Sequence, residues 1–242
     1  MITFSDFDVM SFDCYGTLID WETGIAHALQ PILQAHAVHV SDDQVLEAYA
    51  DCEAEAERQA YMSYRAVLAA AVQSLGALYQ FTPSPAEIQR FSISVGDWPA
   101  FPDAARALTR LKHRFKLAVI TNCDDDLFAQ SNHRLGVAFD WIITAQQAHS
   151  YKPSLHTFQV AFERIGVPPA RFLHVAQSLF HDHVPAKQLG LTTVWINRRH
   201  DKPGFGATPV PATSDIRPTV ALLRAASVNT VCYRRVNHST AT

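Results

Sequence analysis

The sequence predicts an α/β protein with an open, mostly parallel sheet and a block of helices inserted after the first strand. Three observations lead there. Short apolar runs end in polar residues, as buried parallel strands do when they deliver side chains to the open end of a sheet. From Pro102 onward such runs alternate with helical patterns, which implies parallel strands covered on both faces. Between about residues 20 and 95 there are four helical patterns and no strand pattern.

The first strand is Val9-Met10-Ser11-Phe12-Asp13, followed by Cys14-Tyr15-Gly16-Thr17-Leu18. If the extended conformation persists, Asp13 and Tyr15 share a face and Cys14 points away, before Gly16 lets the chain turn. Asp20 to about Ala37 reads as a helix with Ile25, Ala28, Leu29, Ile32 and Leu33 on one face. Ser41 with Gln44 marks a second start, for a helix to about Ala60. A third helix covers about Ser63 to Leu78, and a fourth runs from Pro83-Ser84-Pro85 to about Val95. The proline-rich Trp98–Asp103 run closes the block.

A helix over 103–114 then precedes strand 117–120, which ends in Thr121-Asn122. There follow a helix (125–135), strand 141–143, a helix (155–165), strand 172–175, a helix (182–189) and strand 193–196. The first strand has no partner near it in sequence, so it is expected to join the later sheet. Residues 200–213 read as a Pro/Gly-rich loop, 217–226 as a last helix, and the stretch from Ser227 as a polar tail.

Composition narrows the function. The 242 residues are 48% hydrophobic and 18% charged, as in an ordinary globule with a sizeable core. A formal charge of −3 and no basic run argue against a nucleic-acid partner. No apolar run approaches the roughly 18 residues that span a bilayer, so no membrane partner is expected. Met1–Asp6 lacks the charged and apolar regions of a signal peptide. Cysteines 14, 52, 123 and 232 have no metal-site or disulfide-framework spacing. A cytoplasmic location is expected.

Ligands of open α/β sheets bind at the carboxyl ends of the strands. There the sequence places Asp13, Tyr15 and Thr17; Thr121 and Asn122; Lys152; and Gln177, Ser178 and Asp182. If the sheet is parallel, these converge and supply a carboxylate, hydroxyl and amide donors, one cation and a second carboxylate. Cys14 as a thiol nucleophile has no paired histidine. His181 and His183 lie on different sides of a helix and cannot chelate one metal ion. Asp124-Asp125-Asp126 reads as an acidic helix start, with a site role for Asp124 left open.

Asp13-Cys14-Tyr15-Gly16-Thr17-Leu18, Thr121-Asn122, Lys152-Pro153 and the Gln177–Asp182 stretch resemble, in order, motifs one to four of the haloacid dehalogenase superfamily. The resemblance covers about residues 8–198. It implies a Rossmann-like core of residues 1–19 and 97–242 and a helical cap domain of residues 20–96. Tyr15 and Gln177 stand where the metal-dependent phosphatases of this fold carry acidic residues, and a hard dication wants several anionic oxygens. The Asp-x-Tyr-Gly-Thr form of motif one resembles instead the metal-free type II 2-haloacid dehalogenases. No metal and no other cofactor is expected.

The resemblance implies a hydrolase acting on carbon–halide bonds of a small carboxylic acid. Asp13 would displace halide from C2 by SN2 attack, and water would hydrolyse the resulting ester. It makes Asp13, Lys152, Asp182 and Thr17 the catalytic group, and Cys14, Tyr15, Thr121, Asn122, Gln177 and Ser178 the substrate-binding group. Lys152 would keep Asp13 ionised, Asp182 would handle the water, Thr121 and the amides after Asp13 would hold the substrate carboxylate, and Asn122 and Tyr15 would line the halide side. Around this site the insert offers Arg58 and Arg65 but is acidic from Glu47 to Glu57. Fluoroacetate and azetidine-2-carboxylate are alternative substrates of the same step, a phosphatase of the same fold is an alternative enzyme, and a homodimer is the candidate assembly.

Overall fold

The computed structural model describes residues 2–198. The expectations for 200–213, 217–226 and the tail, and Cys232, lie outside the described residues. The elements, in chain order, are β1 (Val9–Phe12), α1 (Trp21–Ala35), α2 (Asp42–Glu57), α3 (Tyr64–Leu78), α4 (Pro85–Ser92), α5 (Ala104–Lys112), β2 (Lys116–Thr121), α6 (Asp125–Leu135), β3 (Trp141–Thr144), α7 (Ala145–Ala148), α8 (Leu155–Ile165), β4 (Phe172–Ala176), α9 (Val184–Gln188) and β5 (Thr192–Trp195).

The five strands form one sheet in the order β3-β2-β1-β4-β5, with every pairing parallel. β1 does join the later sheet, at its centre: Val9 is in register with Lys116 on one side and with Phe172 on the other. The chain fills β2 and β3 on one flank and then returns to place β4 and β5 on the other. The crevice at such a reversal is where open sheets receive ligands.

Side chains alternate across the sheet with a period of two. Met10, Phe12, Leu117, Val119, Leu173 and Val175 point into a core shared with α5, α6 and the helices between β1 and β2. Val9, Ala118, Ile120 and Phe172 point to the other face, where Phe158, Ala161 and Ile165 of α8 cover them. Ser11 and His174 fall on this second face, side by side in register, as polar residues in fully buried positions.

Helices α1–α4 occupy the chain between β1 and β2. The Asp20 carboxylate accepts from Thr23 N at 3.1 Å and starts α1. Gly24 lets α1 close onto Trp98, since a Cβ there would fall 2.3 Å from the indole. Capping boxes at Ser41/Gln44 and Ser84/Glu87 start α2 and α4 where the sequence placed them.

Several boundaries differ from expectation. α2 ends at Glu57 rather than Ala60, and α4 ends at Ser92 before a 3-10 turn, Ser94–Asp97. α7 follows β3 directly, started by Thr144 Oγ1 accepting from Gln147 N at 3.1 Å. The expected helix 182–189 is instead a π-helical turn, Leu179–His183, followed by α9. Pro185 cannot donate an N–H, so the first turn cannot run into α9 as a regular helix. Its hydrogen bonds gather on the Ser178 carbonyl, which accepts from both Asp182 N and His183 N at 3.3 Å.

Candidate active site

β1 stops at Phe12, so the expected alternation through Asp13 and Tyr15 does not continue. Asp13 N still donates to Val175 O at 3.0 Å, and the chain then folds over. The Cys14 carbonyl accepts from the amides of Thr17, Leu18 and Ile19, with Gly16 at φ +91. This turn brings Thr17 back over Asp13. Thr17 Oγ1 accepts from Gln177 N at 2.9 Å, which directs its own hydrogen to Asp13 Oδ2 at 2.6 Å. Arg198 fixes the other side of the turn, donating to Thr17 O at 2.9 Å and to Asp103.

Asp13 belongs to a buried polar chain joined through Lys152. Lys152 Nζ donates to Asp13 Oδ1 at 2.8 Å and to Asp182 Oδ1 at 2.6 Å. Asp182 Oδ1 is 2.9 Å from His174 Nε2, and His174 Nδ1 is 2.8 Å from Ser11 Oγ. The carboxylate only accepts, so His174 Nε2 donates to Asp182. Lys152, Asp182 and His174 are almost entirely buried. Asp182 Oδ2 is buried with no hydrogen-bond partner among the described residues.

The charges in this chain are set by competition. Burial pushes Asp13 upward and the Asp182 charge adds to it; Lys152 and the Thr17 hydroxyl oppose without overcoming them. At Asp182 burial is outweighed by Lys152 and the His174 hydrogen bond, so its pKa falls well below the usual range. At Lys152 burial is outweighed by the two carboxylates, so the ammonium holds its proton above the ordinary lysine value. One cation thus sits between two carboxylates.

The remaining expected site residues do different things. Asn122 clasps the lysine backbone: its Nδ2 donates to Lys152 O at 3.0 Å and its Oδ1 accepts from Lys152 N at 2.8 Å. The Tyr15 hydroxyl is 3.2 Å from Cys123 Sγ and 3.1 Å from Ser131 Oγ, and its ring meets Trp98 edge-on. Thr121 is fully buried, and its hydroxyl has no partner among the described residues. The Gln177 side-chain oxygen lies against Gly16, and the Gln177 carbonyl accepts from Trp195 Nε1. Ser178 Oγ accepts from His181 N at 3.0 Å and so caps the π-helical turn. The Cys14 thiol is pushed well up by burial, which keeps it from thiolate chemistry. His181 and His183 are held down to about 4 by burial, so both are neutral.

The donor set does not suit a hard dication. Asp13 and Asp182 each give an oxygen to Lys152, Tyr15 turns its hydroxyl to Cys123 and Ser131, and Gln177 brings an amide.

Sequence reasoning missed His174, Ser11 and Arg198. The signal for the first two was a polar residue in mid-run of an apolar strand, which burial makes costly unless it is paired. The acidic run 47–57 also hid structure. Glu53 Oε1 accepts from Tyr49 and Tyr64 hydroxyls at 2.7 and 2.6 Å. Glu57 lies within electrostatic reach of Glu53 and Lys152; burial and Glu53 raise its pKa well above the usual range against the pull of the lysine. Neither arginine that the insert offers stands free: Arg58 pairs with Glu55, and Arg65 with Asp126 at 2.7 Å.

A family model for haloacid dehalogenase-like hydrolases matches residues 7–190. (S)-2-haloacid dehalogenase 4A of Burkholderia cepacia is 30% identical over 129 residues, 50% of this chain and 55% of that one. Pyrimidine 5'-nucleotidase YjjG of Escherichia coli K12 is 27% identical over 125 residues, 50% of this chain and 56% of that one. The chain spans about half the length of the curated relatives it matches. The L-2-haloacid dehalogenase PA0810 superposes with a TM-score of 0.72 at 19% identity, covering 86% of this chain and 92% of that one. The L-2-haloacid dehalogenase of Xanthobacter autotrophicus with chloropropionic acid covalently bound does so at 0.68 and 22% identity, over 79% and 78%. At these identities the superpositions establish the fold, and the family model, spanning most of the sequence, establishes the family. The chain belongs to the haloacid dehalogenase-like hydrolases.

Proposed function

We propose that the protein hydrolyses a small 2-haloalkanoic acid to the 2-hydroxy acid through an ester on Asp13, with helices α1–α4 acting as a cap over the site. The observation that carries this is the single buried ammonium of Lys152, bonded to both Asp13 and Asp182. Attack through Asp13 Oδ2 on C2 expels halide with the bonding electron pair and inverts C2. Oδ1 then becomes the ester carbonyl oxygen, already 2.8 Å from Lys152 Nζ. When water adds to that carbonyl, the developing oxyanion meets a donor that needs no reorganisation. Asp182 is a weak base, so its buried Oδ2 orients the water and takes its proton only as the new C–O bond forms. Thr121 and the amides after Asp13 receive the substrate carboxylate; Thr17 aims Asp13, and Asn122 aims Lys152. The named dehalogenases among the relatives support this chemistry, and the poor dication donor set weighs against a phosphatase.

One observation favours a second substrate. Within electrostatic reach of Lys152 the cap brings Glu57, with Glu53 beside it, rather than a free cation, which suits a protonated amine as leaving group better than a halide anion. The same attack on a protonated strained ring such as azetidine-2-carboxylate breaks C2–N, and nitrogen leaves with the electron pair as a neutral amine.

The test is a single turnover in ¹⁸O-water with enzyme in excess, on 2-chloropropionate enantiomers, fluoroacetate, azetidine-2-carboxylate and p-nitrophenyl phosphate, with and without EDTA. The first product carries unlabelled oxygen and Asp13 gains ¹⁸O, regardless of EDTA. Solvent oxygen in the first product overturns the covalent step, and turnover confined to the phosphate ester overturns the substrate class.

A further inference from the structure

The carboxylate of Asp124 is buried and stands at the start of α6, yet it makes no cap for that helix. Both its oxygens are directed at a helix 60 residues earlier in the chain: Oδ1 accepts from Tyr64 N and Oδ2 from Arg65 N, each at 2.9 Å. Ser63 Oγ accepts from Ala66 N at 3.2 Å. The first three amides of α3 are thereby satisfied, two of them by a residue from the end of β2. The negative charge also sits at the positive end of the α3 dipole. A second grip lies beside it. Tyr151 Oη, in the loop between α7 and α8, donates to Met62 O of the same short segment at 2.9 Å.

These two grips flank the site. Asp124 is two residues beyond Asn122, and Tyr151 immediately precedes Lys152, the pair that clasp one another through backbone and amide. Tyr64, held by its amide, donates its hydroxyl to Glu53 of α2. The posture of α2 and α3 and the placement of Lys152 are therefore tied into one hydrogen-bonded circuit. An exposed ion pair, Arg65–Asp126, backs it from outside.

We propose that Asp124 is a positioning residue for the reaction: with Tyr151 it latches residues 62–65 to the loops after β2 and α7, holding the cap shut over Asp13. This rests on α1–α4 being the cap of the proposed reaction. When the latch is cut, the closed form becomes a fraction of the population, and the apparent affinity for substrate falls by that fraction. Substrate binding at saturation draws the cap closed again, so KM moves and kcat does not.

The experiment compares the full chain with D124A, D124N and Y151F. Hydrogen exchange of the peptide spanning 58–66, and tryptic cleavage after the exposed Arg58, read the latch without any substrate. Steady-state turnover of the substrate identified above reads its effect. In D124A exchange and cleavage speed up about tenfold or more, and KM rises by a comparable factor with kcat nearly unchanged. D124N, which keeps one acceptor oxygen, and Y151F, which loses one donor, fall between D124A and the parent; they carry the comparison alone if D124A does not fold. Unchanged exchange in every folded variant overturns the latch. A loss of kcat in proportion to the folded fraction, with KM unchanged, overturns the positioning role and leaves Asp124 as mere scaffolding. If the parent turns over none of the substrates, the functional proposal fails, and the exchange and cleavage arms still decide the latch.

Discussion

The two ends of the central strands carry the same kinds of charged side chain in different surroundings. At the amino ends, Asp8 before β1 pairs with Arg171 before β4, and their side chains are 50% and 44% exposed. Lys116 and Lys112 share Asp140 beside β2 and β3, again at the surface. At the carboxyl ends, Lys152 pairs with Asp13 and Asp182 at exposures of 1%, 8% and 0%. An exposed pair trades water for a partner at little net gain. A buried set stands only if every charge and lone pair is compensated, and removing one member strands the others. The proposed chemistry uses that difference: the carboxyl-end charges cannot relax into solvent, so their field is available to a bound substrate.

Substitutions at the two ends sharpen the contrast. Lys152→Met has the largest expected effect. It leaves two buried carboxylates without a cation, so turnover falls below detection and stability drops by about 3–5 kcal/mol, read by urea unfolding; a stable, active variant would erase the distinction between the ends. Asp182→Asn comes next. Ester formation persists but its hydrolysis slows by about 10²–10⁴-fold, so intact-mass spectrometry finds substrate carbon accumulating on Asp13. Then His174→Phe removes the donor to Asp182, and the hydrolytic half-reaction loses about tenfold or more, consistent with about 1.5–3 kcal/mol for a hydrogen bond to a charged group. Arg171→Ala, at the other end, leaves turnover and melting temperature unchanged.

The pH profile of kcat/KM probes the same buried end. In the proposed reaction Asp13 must be ionised to attack, and burial raises its pKa, so activity rises with pH along an acid limb lying above the ordinary aspartate value. Lys152 is held protonated above its ordinary value, so it produces no fall on the alkaline side below that value. An acid limb at or under the ordinary aspartate value would show that Asp13 is not held in the dry, carboxylate-crowded site described.

The sequence made the sheet legible because short apolar runs, each ending in a polar residue and alternating with helical patterns, admit few other arrangements. The central place of β1 followed from its lack of a local partner. Asp13, Thr17, Lys152 and Asp182 were legible as a group because each closes a strand or the loop after it. What stayed hidden depended on contacts between distant segments. The pairing of Ser11 with His174 is a matter of register between strands, and nothing local fixes it. Tyr15 could not be placed without knowing that β1 ends at Phe12 and that the turn swings the ring towards Cys123 and Ser131. Asp124 looked like the first residue of its own helix, because an aspartate before a helix ordinarily caps it; its true partners lie in a different part of the chain.

The central position of β1 has a consequence for how the molecule is made. Of the five strands of this sheet β1 is made first, yet its neighbours begin only at residues 116 and 172. Until then its backbone groups have no ladder, and Met10 and Phe12 have no sheet to pack in. The helices that follow rely on nearer contacts and can form while β1 waits. Until residues 116 and 172 have been made, a nascent chain therefore carries an apolar, unpaired segment, the kind that aggregates or needs shielding. The proposed nucleophile is attached to the end of that segment, so Asp13 is made well before Lys152 and Asp182, the residues that surround it.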